Sequence, residues 1–126
     1  MEILLADGQS NVRFALRVLL EREPGYLVVG EAADRNSLFR GLVMTLPDVV
    51  VLGWELPGMP RLDPLAPMRG LSPNLIVIAL SARTEARAAA LAAGADAFVS
   101  KSDPPEHLLE AIRTAAARRR ERAARL

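Results

Sequence analysis

The sequence predicts a doubly wound α/β fold, a parallel five-stranded sheet with helices on both faces. Five short runs rich in Val, Ile and Leu are continuously apolar, as strands covered on both sides are. They alternate with segments whose apolar residues recur at helical spacing, the signature of repeated β–α units. A length of 126 residues suits one domain with a core of its own.

Glu2 to Ala6 reads as the first buried strand. Ser10 is placed to cap a helix from Asn11 to about Glu23, with Val12, Ala15, Leu16, Leu19 and Leu20 on one face. Pro24-Gly25 ends it, and Tyr26 to Ala32 forms the second strand. Asp34 or Asn36 caps a second helix reaching about Thr45, with Leu38, Leu42 and Val43 inward. Leu46-Pro47-Asp48 turns into the third strand, Val49 to Leu52. The third helix belongs between Leu62 and Gly70, where Pro64 and Pro67 predict a short or distorted one. Leu75 to Leu80 is the fourth strand. An alanine-rich helix from Thr84 to Ala93 closes on Gly94, and Ala97 to Val99 is a short fifth strand. Pro104-Pro105 opens the last helix, with Leu108, Leu109 and Ile112 on one face and a continuation into the terminal arginines.

The chain has no cysteine, which excludes a disulfide framework, thiol redox chemistry and cysteine metal sites. The first residues lack the basic and apolar regions of a signal peptide, and no apolar run is long enough to span a bilayer. A cytoplasmic protein is expected. The net charge is +1, so overall charge points to no partner. The cations are nearly all arginine; Lys101 is the single lysine, which raises a chemical question about that position.

In open α/β sheets, sites form beyond the carboxyl ends of the strands, near the switch in strand order. Those ends carry Asp7 and Gly8, then Gly53 to Glu55, Ser81 and Ala82, and Lys101. In that order and spacing they resemble a response-regulator receiver domain of the NarL/LuxR type, over nearly the whole chain. Leu4-Leu5-Ala6-Asp7-Gly8 resembles the family's first strand and acidic pair, with glycine for the second acid. Gly53-Trp54-Glu55-Leu56-Pro57-Gly58-Met59 resembles the phosphoacceptor motif, with Gly53 where the family has its aspartate. Leu80-Ser81-Ala82 is similar to the hydroxyl segment that contacts the phosphoryl group. Gly94 to Lys101 is similar to the fifth strand with its switch aromatic, Phe98, and its lysine. Lys101 to Leu108 has NarL/LuxR-type spacing. The resemblance implies a CheY-like, flavodoxin-like fold with strand order 2-1-3-4-5. It assigns residues 1–117 to the domain and 118–126 to a basic helical tail or truncated linker.

The departures shape the expected function. A receiver's chemistry needs a carboxylate nucleophile, an acidic cluster holding Mg²⁺, a hydroxyl and a lysine. Of three carboxylates only Asp7 remains, so neither phosphorylation at position 53, nor a bound metal or cofactor, nor enzymatic activity is expected. Asp7 and Lys101 are expected to pair as anion and cation, leaving the pocket near neutral. The expected role is an atypical, phosphorylation-independent receiver acting through protein contacts with a histidine kinase or an output protein. The resemblance makes the fourth helix, fifth strand and fifth helix the contact surface, lined by Arg87, Leu91 and Phe98. Small side chains there would let a second copy approach as a homodimer.

Blander readings stand beside these. Gly53 would serve as a strand-end glycine, Ser81 as a helix cap, Asp7 and Lys101 as an inert ion pair, and His107 as a solvated surface residue. Trp54 reads as a partly buried loop aromatic. Glu55 is expected to point to solvent. Three alternative functions are weighed: ligand sensing in a crevice emptied at Gly8 and Gly53, phosphotransfer to a substitute acceptor such as Glu55, and DNA binding by the arginine tail. The last lacks interleaved aromatics and a reading motif, so nucleic acid is expected only through a missing output domain.

Overall fold

The computed structural model describes residues 1–125. Ten elements alternate: β1 (Glu2–Ala6), α1 (Ser10–Glu21), β2 (Leu27–Ala32), α2 (Arg35–Thr45), β3 (Val49–Gly53), α3 (Ala66–Leu71), β4 (Ile76–Ser81), α4 (Ala86–Ala92), β5 (Ala97–Ser100) and α5 (Pro105–Ala124). All strand pairs are parallel, in the order β2-β1-β3-β4-β5. The inner strands β1, β3 and β4 are mostly apolar because both sheet faces are covered, while the edge strand β2 carries Gly30 and exposed Glu31; side chains alternate between two cores. Leu4, Val50, Leu52, Val77 and Phe98 pack towards Leu38, Leu42, Met68 and Ala90 of α2, α3 and α4. Ile3, Leu5, Val51, Ile78 and Val99 pack towards Leu16, Leu20, Leu109 and Ile112 of α1 and α5.

Local signals set most helix ends. Asp34 accepts from Ser37 N at 2.8 Å and Ser37 Oγ reaches back to Asp34 N at 3.2 Å, a reciprocal capping box. Gly94, at φ +103°, takes the left-handed turn that ends α4. With prolines at 64 and 67, α3 is held to six residues. Other expectations need correction. Ser10 lies inside α1; the capping position is Gln9, whose side chain makes no cap bond. Ala15 and Val43 are exposed, and α4 starts two residues later than Thr84. Helical spacing locates a face but not how far the sheet's edge reaches beneath it.

The edge strand β2 is tied to α1 by charge. Glu31 takes Arg13 Nε at 3.0 Å and Arg17 Nε at 2.8 Å. The hydrogen bond from Arg17, helped by Arg13 and opposed by slight burial, holds the Glu31 carboxyl below its usual range. A depressed carboxyl stabilises above its unfolded pKa, and the benefit is lost as pH falls through the folded value. Glu31→Gln should therefore melt slightly below the native chain at pH 7, by no more than about 1 kcal/mol for pairs this exposed. Thermal melts in acid should show the gap closing; a gap independent of pH would assign the loss to packing.

Candidate functional site

Four strand ends converge at the carboxyl edge of the sheet. β1 runs into Asp7, β3 ends on Gly53, β4 on Ser81, and Lys101 follows β5. Parallel register pairs Ala6 with Leu52, Gly53 with Leu80, and Ser81 with Ser100, so positions 94 residues apart in sequence share one crevice. The break between β1 and β3, where strand order reverses, lies at its centre.

Asp7 is buried, 2% exposed. Its Oδ1 accepts from Gln9 N at 2.9 Å. Its Oδ2 lies 2.9 Å from Lys101 Nζ but outside the angular range of a hydrogen bond, so this contact is one of charge. The aligned bond from Lys101 Nζ goes instead to Gln9 Oε1, at 2.9 Å. Gln9 thus binds both members of the pair. No sequence signal marked it, because a lone polar loop residue has no spacing to betray its partners.

Gly53 is more than an absent carboxylate. A Cβ there would run into Asp7 Oδ2 and stand 3.0 Å from Asp7 Cγ. Asp7 has taken the volume that a side chain at 53 would fill. At Gly8 a Cβ would meet Pro57 Cδ at 3.1 Å. The expectation of a crevice emptied by two missing side chains is therefore corrected: the place of each Cβ is closed, by the Asp7 carboxylate at Gly53 and by the Pro57 ring at Gly8.

Glu55 also departs from expectation. Its residue is exposed, yet its carboxylate turns inward instead of to solvent, with Oε2 2.9 Å and Oε1 3.0 Å from Ser81 Oγ. The Ser81 hydroxyl donates to that carboxylate, while its oxygen accepts from Arg83 N at 3.0 Å. Ser81 is completely buried. It caps the turn after β4 and not a helix, since α4 begins five residues on.

Phe98 lies in the core beneath α4, 6% exposed, with the Arg87 guanidinium 5.3 Å from its ring centroid. It was expected to line the α4–β5–α5 surface; Arg87 and partly exposed Leu91 present that surface and Phe98 supports it from below. Trp54 is half-buried against the core. His107 is exposed, its Nδ1 3.5 Å from Asp103 Oδ2.

Comparison with known proteins agrees with this architecture. The sequence pattern of the "Response regulator receiver domain" matches residues 3–113. The nitrate/nitrite response regulator protein NarP of Escherichia coli K12 is 35% identical over 117 residues, 91% of this chain. The chain spans about half the length, 54%, of that relative. A two-component response regulator of the LuxR family from Aurantimonas superposes with a TM-score of 0.83 at 36% identity, covering 92% of this chain and 84% of that one. The response regulator domain of Thermotoga maritima CheB shares the fold, with a TM-score of 0.76 at 24% identity over 91% of this chain and 95% of that domain. A match over residues 3–113 takes in β1 from its second residue, the eight elements from α1 to β5 complete, and the opening of α5, the strand ends just described among them. This chain belongs to the response regulator receiver domain family.

Proposed function

We propose that this receiver works without phosphorylation and signals through protein contacts, not as an enzyme. The observation that carries the reading is the Asp7 carboxylate lying where a side chain at residue 53 would be. Position 53 offers no oxygen to attack a phosphoryl donor, and the volume a phosphoaspartate would need is already filled. The donors also fail to fit Mg²⁺, which prefers octahedral oxygen ligands including one or two carboxylates. Asp7 is committed to Lys101 and Gln9, Glu55 to Ser81, and positions 8 and 53 are glycine.

The Glu55–Ser81 contact suggests how the scaffold keeps one state. In the resemblance drawn from sequence, the Ser81 hydroxyl is the group that meets the phosphoryl oxygens. Here two carboxylate oxygens of the same chain lie on it. A charge-assisted hydrogen bond of this kind is about twice as strong as a neutral one. It fixes the β4–α4 turn, and Phe98 fills the core behind it. The α4–β5–α5 face is then held ready for a histidine kinase, an output protein or a second copy of the chain. The division proposed at residue 117 falls within α5, which runs unbroken to Ala124, so residues 118–124 continue the helix; Leu126, the last residue of the expected tail, lies outside the described residues. Any contact with nucleic acid through this face would require an output domain beyond this chain. No helix among the described residues is long and apolar enough to cross a membrane, and a cytoplasmic location is part of the proposal.

Intact mass after incubation with acetyl phosphate and Mg²⁺ tests the reading. The native chain should gain no phosphoryl group. An adduct would overturn the proposal, and mapping it to Glu55 would make this a phosphotransfer receiver with a substitute acceptor.

A further inference from the structure

A cavity of about 1140 Å³ is at the opposite end of the molecule from Asp7 and Lys101. It opens at the amino edge of the sheet, below Asp48 and Ile76, and the second half of α5 forms one wall. Five arginines line it: Arg69 from α3 and Arg118, Arg119, Arg120 and Arg122 from α5. The two carboxylates in its lining are already engaged. Asp48 Oδ2 accepts from Glu2 N at 2.7 Å, and Asp96 Oδ2 accepts from Val77 N at 2.8 Å and from Arg69 Nη2 at 3.1 Å.

Two of the arginines are held in place by the fold. Arg69 donates to the carbonyls of Leu75 and Gly94, and Arg119 Nη2 donates to Leu75 O at 3.2 Å. Both guanidinium groups therefore meet at one carbonyl. Like charges drawn this close repel. Burial, and then the facing charges of Arg69 and Arg122, push the Arg119 guanidinium below its ordinary range, with Asp96 opposing. An anion entering the cavity would relieve that repulsion. Guanidinium groups match phosphate oxygens with paired, charge-assisted hydrogen bonds.

We propose that this cavity binds a small molecule carrying two or more phosphates, held between Arg69 and the α5 arginines. Two adjacent phosphates suit a row of cations better than one does, and the volume admits a nucleotide-sized body beside them. The small apolar walls from Ala115, Ala116 and Ala95 leave that space open. Because α5 also borders the proposed contact face, a ligand here would act on the segment that leads away from the domain. The site does not depend on the chemistry at position 53.

The test is titration calorimetry of the native chain with inorganic pyrophosphate and orthophosphate, beside a 20-base-pair duplex DNA at matched salt. Saturable pyrophosphate binding is expected, weakened by at least about tenfold in an Arg118→Gln/Arg122→Gln variant, as loss of one or more charged contacts predicts. Both residues are exposed, so the variant should fold, and unchanged circular dichroism checks this. Arg87→Gln, on a different face, should bind as the native chain does. Three results would each overturn the proposal: no saturable binding, equal loss in the Arg87 variant, or duplex DNA binding that pyrophosphate does not displace. The last would make the patch a nucleic-acid surface.

Discussion

Lys101→Met should lower the melting temperature by about 10 °C, the shift that a loss of about 3 kcal/mol gives in a domain of this size. Asp7 is 2% exposed, and its Oδ2 has no aligned donor to replace the lysine. Removing one partner of a buried pair leaves an uncompensated charge, which costs more than the pair itself contributes. Gln9 N, still bonded to Oδ1, and the 19% exposure of the Lys101 side chain keep the expected loss at the low end of the range for such pairs. A second variant separates charge from packing. Adding Asp7→Asn to Lys101→Met removes the stranded charge and should recover more than half of the loss. Thermal melts of the three proteins at pH 7 decide it. A single variant that melts with the native chain would mean that water reaches Asp7 and that the pair contributes little. A double variant as weak as the single one would assign the loss to the lysine's packing.

Most of the fold was legible because its signals are local. Val49-Val50-Val51-Leu52 admits little but a strand covered on both faces, Asp34, one of two caps expected for α2, is the one used, and the prolines at 64 and 67 shorten α3 as expected. The pairing of Asp7 with Lys101 followed from the resemblance, which placed both at strand ends. What escaped depends on side chains choosing among partners distant in sequence. Glu55 turns inward because the path of the chain after Gly53 brings it to Ser81, 26 residues on. The arginines at 118 to 122 read as a solvated tail; in three dimensions Arg119 reaches Leu75, 44 residues away, and the tail becomes the wall of a cavity. The crevice at Gly53 was misjudged for a related reason. Deleting a side chain leaves a void only when neighbours cannot move, and Asp7, short and charged, had both room to enter and a cation to meet there.

Gly53→Asp should change the protein twice over. In chelator its melting temperature should fall by about 5 to 10 °C, since the new carboxylate enters volume held by Asp7 and two like charges then lie within about 4 Å. Their repulsion, about 4 kcal/mol at an effective dielectric constant of 20, is partly offset by Lys101, which can be shared. Asp7 must swing out of the way, and the site that results has two carboxylates facing one crevice. Those are the ligands Mg²⁺ favours, so millimolar Mg²⁺ should restore most of the lost stability, where the native chain shows no such response. The same variant should accept a phosphoryl group from acetyl phosphate in the presence of the metal. A carboxylate oxygen of residue 53 attacks phosphorus, the bond to the acetate oxygen breaks, and acetate leaves. Intact mass and melting with and without Mg²⁺ read both effects. Stability recovered by Mg²⁺ without added mass would mean that the metal site returns but the substrate cannot be placed, and Glu55, lying across Ser81, becomes the group to remove next. No response to Mg²⁺ and no added mass would show the loss to be wider than position 53, with Gly8, where an added Cβ would meet Pro57 Cδ at 3.1 Å, as the second place where the pocket closed. If the variant melted with the native chain in chelator, Asp7 would not be filling the place of the missing side chain, and the proposed independence from phosphorylation would rest on the missing nucleophile alone.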